Sequence, residues 1–159
     1  MMMHAFIRTH ICRYLNEEES GVLMENGNLR RLAQGDSLFN SGDLGDSFFV
    51  ILQGRVHVYQ TLEGGVVKTI CVLGYGSIIG EVSMIDRQSR SASAAAMEDA
   101  ALFELSRAQM VEMIRNHPGL ASKVLWAIME TITVRLRDAN LSVQSLLTEK
   151  LKDLPKAEL

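Results

Sequence analysis

Cysteine, histidine and proline are scarce in this chain, and each scarcity excludes a class of protein or of local structure. Cys12 and Cys71 are the only cysteines in 159 residues, too few and too separated for a disulfide framework or a four-ligand zinc site. They read as small apolar side chains in a reducing compartment. His4, His10, His57 and His117 stand singly, so the clustered imidazole and carboxylate ligands of a jelly-roll metal enzyme are missing. No nucleophile elbow, P-loop or H-E-x-x-H motif occurs either, and neither an enzyme nor a catalytic cofactor is expected. The formal charge is −3, without the basic excess of a duplex-binding domain, so no DNA contact is expected from this chain. No run of about 18 apolar residues is available to span a membrane. The opening "MMMHAFIRTHICRYL" mixes His and Arg into its apolar residues and lacks an apolar core followed by a cleavage site. The expected setting is cytoplasmic, with no membrane contact.

What is present fits one soluble domain: 47% hydrophobic and 22% charged residues in a chain long enough to bury a core. Residues 1–28 carry Phe6, Ile7, Ile11, Leu15, Val22, Leu23 and Met24 at spacings that predict one or two short helices covering a sheet. Residues 29–105 change to short Val-, Ile- and Phe-rich runs broken by "QGD", "SGDLGD", "QGR", "EGG" and "GYG", which predicts strands. "DSFFVILQGRVHVYQ" reads as a hairpin about Gln53-Gly54, with Val56 and Val58 on one face of its second strand. "VHVYQTLEGGVVKTICVL" reads as a second hairpin about Gly64-Gly65. The expected fold is mainly β with flanking α: a β-roll of jelly-roll type followed by a long C-terminal helix.

Residues 106–117 fit a short helix capped by Ser106. Pro118 suits the first turn of another helix, and residues 118–152 contain no later proline or glycine except Gly119. At about 1.5 Å per residue that helix is roughly 50 Å long, with 153–159 left as a tail. Leu125, Met129, Ile132, Leu136, Ala139, Val143 and Leu146 recur at alternating steps of four and three. Such a heptad stripe either packs on the chain's own roll or pairs with a second copy in a homodimer. Leu120, Val124 and Ile128 form a second line that can serve the roll.

The polar run "GEVSMIDRQSRSAS" carries the chemistry. Glycines 74, 76 and 80 suggest the dinucleotide fingerprint, but the third falls one place late and no βαβ unit surrounds it. Gly80 instead allows close backbone approach, and "EVSMI" is long enough for a single helical turn. The N–H groups from Glu81 to Ser83 make an anion pocket that Arg90 can close with its planar fork, aided by Ser91. A carboxylate at Glu81 opposes phosphate but accepts a sugar hydroxyl, so a ligand with both a ribose hydroxyl and a phosphate uses both groups. The competing reading is an exposed loop ion pair with little energetic weight.

These blocks resemble the cyclic-nucleotide-binding domain of the catabolite activator protein, the regulatory subunit of the cAMP-dependent protein kinase, and gated channels. "GDSLFNSGDLGDSFFVILQGRVHV" matches the family's β-roll turns through Gly35-Asp36, Gly42-Asp43, Gly45-Asp46 and Gly54, and "LGYGSIIGEVSMIDRQSRSASA" is similar to its phosphate-binding cassette. The resemblance implies Glu81 on the ribose 2′-hydroxyl, Arg90 on the cyclic phosphate, backbone contacts from Gly80, Val82 and Ser83, and Ser91 beside the arginine. Ile79 departs from the usual aromatic, Ser83 from alanine, and Ser89 from the proline before the arginine, which leaves the loop less constrained. In the family the long helix caps the base and pairs two subunits. Arg135 and Asn140, which flank the seam, are therefore candidates for base contact, against the alternative that they are solvated.

The implied function is a dimeric sensor of cAMP or cGMP whose ligand biases the long helix. It acts through an unidentified effector protein or as the sensor half of a longer transcription regulator. A scaffold of the same fold that binds no nucleotide is the alternative.

Overall fold

The structure, a computed structural model, describes residues 2–153; Met1 and residues 154–159 of the expected tail lie outside the described residues. Two compact units are distinguished, Met1–Ile128 and Met129–Leu159. In the first, helices α1 (Met2–Ile7) and α2 (Glu17–Asn26) precede eight strands: β1 (Asn28–Leu32), β2 (Ser37–Phe39), β3 (Ser47–Gln53), β4 (Val56–Thr61), β5 (Val67–Leu73), β6 (Ile78–Ile79), β7 (Ser93–Ala96) and β8 (Ala100–Ser106). A six-residue helix, α3 (Glu81–Asp86), separates β6 from β7, and α4 (Arg107–Asn116) and α5 (Pro118–Asp153) follow β8.

The strands form two four-stranded antiparallel sheets, ordered β1-β8-β3-β6 and β2-β7-β4-β5. Between them lie Leu32, Leu38, Phe49, Ile51, Val56, Ile79, Ala94 and Leu102, a closely packed apolar core. The first sheet is also covered on its outer face. There Phe6 of α1 packs on Phe103, ring centroids 4.7 Å apart. Leu120, Val124 and Ile128 of α5 are also buried, as their spacing predicts. Cover on both faces explains why "FFVIL", Phe48–Leu52, is an unbroken apolar and buried run, whereas "VHVYQT" mixes apolar and polar residues and is only partly buried.

That difference corrects the first predicted hairpin. β3 pairs with β8 and β6, while β4 pairs with β5 and β7, so the two strands around Gly54 belong to different sheets. Gly54 has φ +81°, and a Cβ there would stand 2.6 Å from the Asp99 carbonyl oxygen. The bare α-carbon lets the chain cross between sheets against another backbone, a role that a hairpin glycine signal does not distinguish. The second predicted hairpin is present, β4 and β5 pairing from Val56↔Leu73 to Thr61↔Val67 with a shift of register between Val58 and Tyr59.

Helix α4 begins with a capping box: the Ser106 hydroxyl accepts from the Gln109 N–H at 3.2 Å and the Gln109 side chain accepts from the Ser106 N–H at 2.8 Å. In the second unit α5 presents Met129, Leu136, Val143 and Leu146 of the heptad stripe at 47–61% exposure. Four side chains of that size in water along one seam are a surface of the kind that takes another helix.

Candidate functional site

The site is built where α3 interrupts the roll. Gly80 caps α3 in the left-handed conformation, φ +83°. A Cβ at this position would lie 2.5 Å from Arg90 Nη1 and 3.1 Å from the Ser47 carbonyl oxygen, so glycine is required for both conformation and space. Gly45 is constrained by space alone: a Cβ there would overlap the Ser83 side chain. Backbone, cassette helix and arginine therefore meet with no room for larger residues.

Arg90 is 5% exposed and Glu81 1%. The Arg90 guanidinium donates through Nη1 to the Gly80 carbonyl at 2.7 Å and through Nη2 to the Ser47 carbonyl at 2.7 Å. It lies over the Phe39 ring, 4.4 Å from the centroid, with Phe49 at 5.9 Å. Nε is buried without a hydrogen-bond partner, and each Nη keeps a second proton, so donors remain for an anion. Burial pushes the Arg90 pKa down from the ordinary arginine value, opposed by Asp46 first and then by Glu81, Asp43 and Glu104. A buried cation facing several carboxylates, with an orphaned donor, is an arrangement that a bound anion would complete.

The loop around Arg90 is fixed by backbone. Its N–H donates to the Asp43 carbonyl at 2.8 Å, and its carbonyl accepts from the Gly42 N–H at 2.9 Å. Ser89 forms an isolated antiparallel bridge with Leu44. These ties supply restraint at the position where the family's proline is missing. Ile79, in place of an aromatic, is buried opposite Phe49 in the inter-sheet core.

Among the residues singled out in sequence, Gly80, Glu81, Val82, Ser83 and Arg90 come together here; Ser83 is buried and Val82 exposed. Ser91 is exposed beside them, its carbonyl accepting from Gln60 Nε2 at 3.2 Å. Arg135, half-buried, and Asn140, exposed, belong to the second unit. Sequence reasoning treated the Gly-Asp loops only as turns and missed that Asp43, Gly45 and Ser47 frame the arginine. The clustering of Gly-Asp pairs at 42–43 and 45–46 was the available signal. It also missed Phe39 as the arginine's platform and Arg107, whose Nη1 donates to the Met84 and Ile85 carbonyls of α3 at 2.6 and 3.1 Å.

Residues 29–117, which contain this entire arrangement, match the family model described as "Cyclic nucleotide-binding domain". The chain belongs to that family. The cyclic AMP receptor protein of Thermus thermophilus is 33% identical over 139 residues, 87% of this chain and 62% of that protein. The crystal structure of the Thermus thermophilus catabolite activator protein superposes with a TM-score of 0.78 over 87% of this chain and 63% of that one. A cyclic nucleotide-binding domain from Methylobacillus flagellatus, 28% identical, gives 0.82 over 97% of this chain and 85% of that chain. A lysophospholipase of Phaeosphaeria nodorum is 27% identical over 57% of this chain, a segment amounting to 6% of the enzyme. The chain thus spans less than two thirds of the Thermus receptor and a small fraction of the fungal enzyme. The β-roll with a long C-terminal helix, expected from sequence, is the architecture of these neighbours. Among the described residues no helix is long and apolar enough to cross a membrane, and no group of three or more His, Cys, Asp or Glu could hold a metal ion.

Proposed function

We propose that this chain is a regulatory module that binds cAMP, with cGMP as the competing ligand, through Glu81 and Arg90. The single observation that carries this reading is the burial of an arginine with an unpartnered Nε beside a buried glutamate on one short helix. In this reading the cyclic phosphate takes the remaining Arg90 donors and the N–H groups of Gly80, Val82 and Ser83, with Ser91 at the rim. Glu81 accepts the ribose 2′-hydroxyl. Phosphate and sugar contacts are thereby fixed at once by a cassette whose charges offset each other. The Thermus relative is a cyclic AMP receptor protein, which supports the adenine nucleotide.

The module works as a homodimer through the α5 heptads, with Arg135 or Asn140 on the base. A ligand that touches both cassette and helix has different affinities for two helix arrangements, which is what a switch requires. It acts in the cytoplasm, either on a separate effector protein or on a DNA-binding part of a longer regulator. One observation favours a second reading, a scaffold that binds no nucleotide: two of the arginine's donors are already committed to Gly80 and Ser47.

Isothermal titration of the 159-residue chain with cAMP and cGMP decides between them. Binding is expected for at least one nucleotide, lost on Arg90→Leu and retained in part on Arg90→Lys. No heat and no thermal shift with either nucleotide would establish the scaffold.

A further inference from the structure

With six residues, α3 is too short to hold its own geometry, so its orientation is imposed by neighbours. Arg90 grips its start through the Gly80 carbonyl at 2.7 Å. Its other end is held by a different arginine. The Ser83 carbonyl accepts from the Arg87 N–H at 3.0 Å, and Arg107 Nη1 donates to the Met84 and Ile85 carbonyls at 2.6 and 3.1 Å. A cation on the last carbonyls of a helix satisfies groups that have no partner within the helix.

Arg107 is itself anchored next to the first grip. It is the first residue of α4, and its N–H donates to the Asp46 carbonyl at 2.6 Å. The following residue, Ser47, pairs with Ser106 across the β3–β8 ladder and accepts from Arg90 Nη2. One stretch of strand thus connects the two arginines that hold α3.

We propose that Arg107 is a positioning residue for the nucleotide site. By fixing the last turn of α3 it sets the angle at which Glu81 meets the ribose hydroxyl, and it transmits a shift of α3 to the start of α4. The inference rests on Glu81 and Arg90 acting as the sugar and phosphate contacts. A positioning role predicts a selective loss. Tilting α3 moves Glu81 more than Arg90, which is held by its own loop, so a ligand that uses the 2′-hydroxyl suffers more than one that lacks it.

The test titrates the full chain and its Arg107→Met and Arg107→Lys variants with cAMP and 2′-deoxy-cAMP. Arg55→Met, which removes the surface pair with Glu98, serves as the control. The parent is expected to prefer cAMP over the deoxy analogue by about tenfold. R107M should lose most of that preference, while its affinity for the deoxy analogue changes less than about threefold. Amide exchange should accelerate across Glu81–Asp86 and stay unchanged in β3 and β8. R107K, with three donors on one nitrogen, should recover part of the preference, and it carries the comparison if R107M does not fold. Equal losses for both ligands in the variants, or no loss at all, overturns the role of Arg107 while the nucleotide site stands. A parent that binds neither ligand removes the site and this inference together.

Discussion

Replacing Gly80 by alanine separates the two reasons that glycine is needed there. A non-glycine residue in the left-handed region costs about 1–2 kcal/mol. The added Cβ would sit 2.5 Å from Arg90 Nη1, so the guanidinium has to move and its bond to the Gly80 carbonyl, worth about 1.5–3 kcal/mol, is strained or lost. The expected destabilisation is therefore about 2.5–5 kcal/mol, a large share of the ~5–15 kcal/mol that holds a domain. Gly64 supplies the matched control, since its φ is +79° and nothing lies within 4 Å of its Cβ position. Gly64→Ala should cost only the conformational part, about 1–2 kcal/mol. Urea unfolding followed by circular dichroism measures both, and titration with cAMP at low temperature measures what remains of the site. G80A should also weaken binding by tenfold or more, each tenfold being about 1.4 kcal/mol, and G64A should leave binding unchanged. Equal destabilisation by the two alanines, with parental affinity in G80A, would refute the packing argument.

Glu19 closes the α2 capping box with the Asn16 N–H at 2.9 Å and receives Lys123 at 2.5 Å. Its pKa is lowered chiefly by the hydrogen bond from Lys123. That contribution is present above the ordinary glutamate value of about 4.3 and is lost as pH falls through the lower folded value. Lys123→Met should thus cost under about 1 kcal/mol at pH 7, with the difference from the parent fading in acid; a difference that persists at pH 2 would contradict it. The parent chain should sediment as a dimer, and Leu136→Glu with Val143→Glu, which places charges on the exposed heptad face, as a monomer. An unchanged mass in the ultracentrifuge would remove the helix from the interface.

That Glu81 and Arg90 lie together was legible in the sequence because the two are only nine residues apart, around one short turn, and both are buried there; their contact with a ligand is the proposal made above. The alternation of Val56 and Val58 and the capping pattern at Ser106 were legible for the same reason, since each depends on residues within one turn or strand. The partner of β3 was not, because a glycine reports a backbone conformation and not the strand that approaches it. Phe39 and Arg107 escaped because their roles come from non-local contacts. Phe39 reaches Arg90 across the strand order, and Arg107 meets α3 only after β7 and β8 have been laid down.

The nesting of the strands constrains how the protein is made. β1 finds its partner only in β8, and β2 only in β7, whereas β4 and β5 are adjacent and joined by a tight turn. At about 5–20 residues per second, an emerging β1 waits roughly 3 to 14 s for β8 to be synthesised. The early chain therefore leaves the ribosome with its first strands unpaired and β4–β5 as its first local pairing, itself only marginally stable alone, and β3, whose Ser47 carbonyl holds Arg90, gains its β8 partner only after residues 81–90 have been made.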